Sequence, residues 1–215
     1  MKIAAVFFLT WAVLTPIADA ADQQLTRQQA SRALVNSDPV MRRAAAGQLG
    51  EVGRIGDVAA LVKALRDSDD ETRAAAEGAI WEIWGRSGNV EIDELYQRGV
   101  EQMKLGAAAE AIQTFTLIVR KKPDFAEGWN KRATVYYSVG EFDKSLRDCD
   151  EVIKRNSLHF GALAGYGLIY TQMNQPERAL EYFKRALKIN PNMQGVASNI
   201  ELLQKLLDDK RKKYI

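Results

Sequence analysis

Residue types that carry covalent or acid–base chemistry are sparse in this sequence. Of its 215 residues one is a cysteine, Cys149, and one is a histidine, His159. A lone cysteine cannot close an internal disulfide, and one histidine cannot supply a metal cluster. There is no Gly-x-Ser-x-Gly elbow, no phosphate-cradling glycine loop and no cysteine pair to complete a site around either residue. His159 therefore reads as a surface or hydrogen-bonding residue rather than a general base. The carboxylate pairs Asp69-Asp70 and Asp208-Asp209 fall at a predicted helix start and in a charged C-terminal segment, where solvation alone accounts for them. Trp81 and Trp84 stand three apart, near one face of a predicted helix, and are expected to pack a junction rather than form a ligand platform. No enzymatic activity, metal or cofactor is expected.

The bulk composition agrees. With 47% hydrophobic and 27% charged residues the chain has the material for a folded core, and a net charge of +2 lacks the basic excess that nucleic-acid binding normally needs. The first residues stand apart. Lys2 precedes an apolar run over 3–14, too short to span a bilayer and suited to the core of a secretory signal. Pro16 ends that run, and Ala18 and Ala20 occupy the small-residue places of an A-x-A cleavage site. Residues 1–20 are read as a signal peptide removed after Ala20, with an uncleaved anchor helix as the alternative. The mature chain is expected in the bacterial periplasm, with no integral membrane segment.

The elements that would position a binding surface announce themselves as repeats. Gly106, Gly140 and Asn174 are spaced by 34, as are Pro123, Ser157 and Pro191. Ala111, Ser145 and Ala179 keep the same spacing, and so do Phe115, Cys149 and Phe183. The first set should end helices in the left-handed conformation, which glycine and asparagine tolerate best. The small set lets two helices cross closely. The last set fills the gap between hairpins, so Cys149 takes a bulky residue's place and is expected to be a buried, inert thiol.

This pattern resembles the tetratricopeptide repeat, a helix–turn–helix unit, in three copies over 92–125, 126–159 and 160–193. The family's marks appear in the third copy as Leu163, Gly167, Tyr170, Ala179, Phe183 and Pro191. The second gives Trp129, Ala133, Tyr136, Ser145, Cys149 and Ser157, departing at the last two. The first gives Leu95, Gly99, Gln102, Ala111, Phe115 and Pro123, departing at Gln102. Residues 194–215 supply Val196, Ile200, Leu203 and Leu207 at helical spacing, as a capping helix requires, and end in the basic Lys210-Arg211-Lys212-Lys213.

Upstream lies a 31-residue period. Asp38 with Arg42, Ala44 and Gly47 recurs as Asp69 with Arg73, Ala75 and Gly78. Over 21–89 the chain resembles the short HEAT-like repeat, with helices expected at about 23–35, 39–51, 57–66 and 70–84. The resemblance implies N-caps at Asp38 and Asp69, and arginines that reach an aspartate of a neighbouring repeat. Short HEAT-like repeats also occur in bilin-attaching lyases, an enzymatic alternative. With 85–89 too short for a free linker, the expected fold is an all-α, continuous right-handed helical-repeat solenoid, its HEAT-like block docked on the first hairpin.

The tetratricopeptide resemblance implies a concave groove lined by the first helix of each repeat and a protein or peptide partner bound there. The first copy would contribute Tyr96, Val100 and Lys104. The second would contribute Glu127, Asn130, Lys131, Thr134 and Tyr137, and the third Leu168 and Thr171. Asn130 and Lys131 could hydrogen-bond an extended peptide, and Tyr96 and Tyr137 could give flat contact area. The charged clamp used on acidic chaperone tails is not matched, since its places hold Tyr96, Val100, Lys131, Gly161 and Gly165. The stretch 124–137, with 159–163 after it, also resembles small exported bacterial tetratricopeptide proteins, mostly uncharacterised. Periplasmic members of the wider class serve as adaptors in envelope assembly and secretion, the role expected here. Self-association of a structural repeat protein, hence a homo-oligomer, is the second reading. Nucleic acid is not an expected partner.

Overall fold

The structure is a computed structural model that describes residues 24–212. The signal segment expected at 1–20, and the last residue of the basic end, lie outside the described residues. Within them the chain forms eleven α-helices and no strand.

The first four helices are α1 (Arg27–Ala33), α2 (Pro39–Val52), α3 (Val58–Ala64) and α4 (Asp70–Trp84), with a 3-10 turn Ile55–Asp57 before α3. Each start has a chemical cause. Thr26 and Gln29 form a reciprocal capping box, which is why α1 begins at Arg27 rather than earlier. Asp38 accepts from the Val40 N–H, with Pro39 at the first helical position, and Asp69 accepts from the Thr72 N–H. The 31-residue period is visible in the hydrogen bonds. Arg42 donates to the Asn36 and Ser37 carbonyls, and Arg73 to those of Asp67 and Ser68. Arg42 also holds Asp67 with two short bonds of 2.7 Å, crossing from one hairpin to the next as expected. That pairing keeps the Asp67 carboxyl below the usual range, against a smaller opposing effect of burial. Helices α2 and α4 lie against each other, flanked by α1 and α3.

The 34-residue units follow as three hairpins. They are α5 (Val90–Lys104) with α6 (Ala108–Lys121), α7 (Ala126–Ser138) with α8 (Phe142–Arg155), and α9 (Phe160–Gln172) with α10 (Pro176–Ile189). The turns behave identically. Gly106, Gly140 and Asn174 have φ of +72°, +78° and +55°. The next N–H then closes on a carbonyl five residues back, Ala107 on Gln102, Glu141 on Tyr136 and Gln175 on Tyr170. Helices α5, α7 and α9 neighbour one another on the inner face. Helix α11 (Gln194–Lys212) caps α10 through Val196 and Leu203.

The all-α repeat solenoid forms as expected, but the N-terminal block does not dock chiefly on the first hairpin. Helix α4 makes no stacked interface with α5 comparable to that of α6 on α7. Instead the N-terminal block folds back along the turns that join successive 34-residue units. Its core takes in Phe160, which is fully buried, with Leu158, Ile189 and Met193 at its edge. Arg66 donates to the Lys188 and Ile189 carbonyls at the end of α10, a favourable place for a cation, and Asn192 donates to the Leu65 carbonyl at 2.8 Å. Burial of a phenylalanine such as Phe160 contributes about 1.5–3 kcal/mol, enough to anchor the block away from the first hairpin.

Candidate functional site: the groove between the second and third hairpins

The close approach of paired helices explains where a groove opens. In the first hairpin a Cβ on Gly99 would lie 2.6 Å from Phe115, and in the third a Cβ on Gly167 would lie 2.4 Å from Phe183. A glycine and an aromatic ring thus interlock across each hairpin. The second hairpin has Ala133 and Cys149 at these two places. One added methyl does not replace a lost ring, and a cleft of about 160 Å³ opens there. Its walls include Ala133, Cys149, Asn130, Thr134 and Tyr137 on one side and Gly165, Leu168 and Ile169 on the other. Gly165 helps to keep it open, since its Cβ would stand 3.8 Å from the Cys149 sulfur. The thiol is 2% exposed, and burial, aided by Asp148 and Asp150, pushes its pKa up to about 12. It is buried, as expected. Leu168, 39% exposed, also lines a second hollow that runs to Val196 and Asn199 of α11, with Glu77 of α4 on its far side.

Of the ten residues expected to line the groove, the structure brings Asn130, Thr134, Tyr137 and Leu168 together in this cleft. Thr171, one turn beyond Leu168, is exposed and donates to the Gly167 carbonyl. Lys104 is exposed at the end of α5, paired with Glu101, and Val100 is half-buried against the first hairpin's core.

Three expectations need correction. Tyr96 is 8% exposed and offers no platform, because its ring meets Phe115 and Phe125 edge-on inside the first hairpin's core. Burial, with the Glu127 charge behind it, drives its pKa far above the usual tyrosine value. Glu127 is 2% exposed and faces inward, taking a 2.6 Å hydrogen bond from Asn130. Burial opposes its charge, but His159, Lys131 and the Asn130 bond outweigh that and hold its pKa below the usual range. Lys131 is committed too, with its ammonium 4.0 Å from Glu127 and 6.0 Å above the Trp81 ring.

His159 is fully buried, not on the surface, although it does hydrogen-bond. Its Nδ1 accepts the Ala162 N–H at 3.0 Å, and its ring stacks on Trp84 at 4.2 Å. Its Nε2 stands 3.5 Å from Glu127, at the outer limit of a hydrogen bond, with no better partner. Trp81 and Trp84 are packing residues, as expected, but they pack on His159 and Phe160 rather than on the first hairpin. A Cβ on Gly161 would fall 2.5 Å from Trp81, so the tryptophan fits only because that side chain is missing.

The repeat architecture has counterparts. A tetratricopeptide repeat family model matches residues 163–193. Over those residues the chain is similar to the tetratricopeptide repeat. A TPR repeat-containing protein of Rhizobium etli is 29% identical over 161 residues, covering 74% of this chain and 76% of that relative. Hsp70-Hsp90 organizing protein 1 of Glycine max is 26% identical over 108 residues, half of this chain but only 19% of that protein. Among solved structures, the first tetratricopeptide domain of Spaghetti, bound to an HSP90 peptide, aligns with a TM-score of 0.53 at 21% identity, over 54% of this chain and 93% of that one. That last likeness is one of fold.

Proposed function

We propose that the protein is a non-enzymatic scaffold of the bacterial envelope, exported and cleaved after Ala20, that binds a partner polypeptide in its tetratricopeptide groove. The observation that carries this is the cleft left by the Ala133–Cys149 pair, where Asn130 and Thr134 stand beside the exposed Leu168. Asn130 is 9% exposed and gives its amide to Glu127, so an extended chain laid there meets the exposed Thr134 hydroxyl on α7 and apolar surface on α9. The groove is not of the kind that grips an acidic tail through a ring of cations. Lys131 is already paired with Glu127, and Trp81 covers Gly161. The peptide-bound Spaghetti domain and the Hsp70-Hsp90 organizing proteins give precedent for polypeptide recognition by such repeats, not for the identity of this partner. The N-terminal block with the 31-residue period is read as two HEAT-like units, its Glu77 lying across the hollow beside Leu168.

Selecting peptides from a random display library against the mature chain tests the reading. Selected peptides should lose at least tenfold in affinity on Leu168→Glu, about 1.4 kcal/mol, with an unchanged thermal melt. Equal affinity for both forms would remove the groove from the proposal. N-terminal sequencing of the protein from a periplasmic fraction should begin at Ala21. The second reading, self-association, draws on Leu202 and Leu206, exposed on successive turns of α11. Light scattering of the mature chain that gives a monomer mass at working concentration excludes it.

A further inference from the structure

A separate cleft of about 470 Å³ lies where the N-terminal block meets the turns of the first and second repeats. Its apolar part is formed by Ile55, Ile83, Trp84 and Phe125. Around this floor stand Arg54, Arg86, Lys122 and Arg155, with Asp124 the one acidic residue of the lining. Two of the cations are occupied, Lys122 by Asp124 at 3.3 Å and Arg155 by Glu151. Among the described residues neither Arg54 nor Arg86 forms a close ion pair, although the Arg54 charge also acts on Asp57, which Arg27 holds, and Arg86 makes one side-chain bond, to the Gly53 carbonyl.

The wall holds two further donors. The indole Nε1 of Trp84, a residue 4% exposed, and the amide Nδ2 of Asn156 are shut off from solvent and have no hydrogen-bond partner. An unmade buried donor costs about 1–3 kcal/mol. Neither can accept, so the group that would satisfy them is an acceptor. The surplus guanidinium charge asks for that acceptor to be an anion. We propose that this cleft binds an amphipathic carboxylate, with the head group between Arg54 and Arg86 and the apolar body on Trp84 and Phe125. Because Asp57 takes part of the Arg54 charge, a singly charged head is enough to balance what remains beside the cleft. Water does not reach either orphan nitrogen as the side chains stand, so small shifts of the Trp84 indole and the Asn156 amide accompany binding and bring their N–H groups to the head. The site is distinct from the groove of α7 and α9 and does not depend on its reading.

Calorimetric titration of the mature chain with octanoate tests the site, with methyl octanoate, octyl phosphate and inorganic phosphate as the other arms. Octanoate should saturate with Kd below about 1 mM, and Arg54→Gln and Arg86→Gln should each weaken it at least fivefold. Both residues are exposed, so the fold should be unaffected by either change. In ¹H–¹⁵N spectra octanoate should move the Trp84 indole and Asn156 amide signals. Asn190, which carries the same unpaired amide 34 residues on and away from this cleft, should stay still. The proposal is overturned if methyl octanoate binds as well as octanoate, if octyl phosphate or inorganic phosphate binds and octanoate does not, or if no arm saturates.

Discussion

The second hairpin and its two neighbours share one backbone plan and differ in what they interlock. In the first and third, a glycine on the inner helix admits a phenylalanine from the outer one, Gly99 with Phe115 and Gly167 with Phe183. In the second, Ala133 faces Cys149, and the missing ring becomes a cleft. The difference teaches that the repeat tolerates loss of its wedge if the lost volume opens toward the groove. A site can arise from a departure from the repeat pattern, rather than from any residue added to it.

Removing the wedge should tell the hairpins apart most strongly. Phe183→Ala should lower unfolding free energy by about 3–5 kcal/mol, whereas Cys149→Ala should cost about 1 kcal/mol, because its surroundings are already open on one side. Urea denaturation of the two variants measures this, and equal losses would break the comparison. Overfilling comes next. Gly167→Ala puts a methyl into the Phe183 ring and should cost about 1–3 kcal/mol. Cys149→Phe alone should cost a similar amount, and adding Ala133→Gly should recover most of it while closing the cleft. If the double variant is no better than Cys149→Phe, the interlocking account is wrong.

A pH effect sharpens the contrast further, because among the equivalent places Asp93, Glu127 and Gly161 only the second holds a buried carboxylate. Glu127 has its pKa lowered in the fold. Its charged form therefore stabilises the protein above the ordinary glutamate pKa, and that contribution is lost as pH falls through the lowered, folded-state value. Thermal melts should decline over that acid window for the natural sequence, and Glu127→Gln should flatten the decline while reducing stability at neutral pH. The smallest effect concerns chemistry rather than stability. With its pKa near 12, Cys149 should react with iodoacetamide at pH 8 at least tenfold more slowly in the folded chain than in urea, as mass spectrometry would read it.

The repeats were legible in sequence because their turn residues and small residues recur at a fixed spacing. Gly106, Gly140 and Asn174 all adopt the left-handed conformation that their spacing implied. The helix starts at Pro39 and Asp70 were legible from their aspartate caps. The groove was half legible. Thr134, Tyr137 and Leu168 follow from position within the repeat, but Glu127 and Tyr96 occupy equivalent places and are buried. What buries Glu127 comes from another part of the chain, the His159 ring pressed by Trp84. Nothing in a nearest-neighbour pattern says that a block far upstream in sequence will fold onto the second and third repeats. One signal was available in retrospect. Gly161 interrupts a run of groove positions with no side chain at all, and an absent side chain at a packed place invites one from elsewhere.

The contact between Asn192 and Leu65 joins residues 127 apart in the chain. A stack of repeats coupled only to their neighbours behaves as a spring, bending and fraying from its free end. Here the early segment clamps the late turns, so the spring is closed into a loop. Its curvature is set by a strut rather than by the repeats alone, and its last unit cannot peel away unless the first segment lets go. The ribosome must also finish the third repeat before the N-terminal block finds its seat, which makes assembly a long-range event of high contact order in a fold otherwise built from local ones.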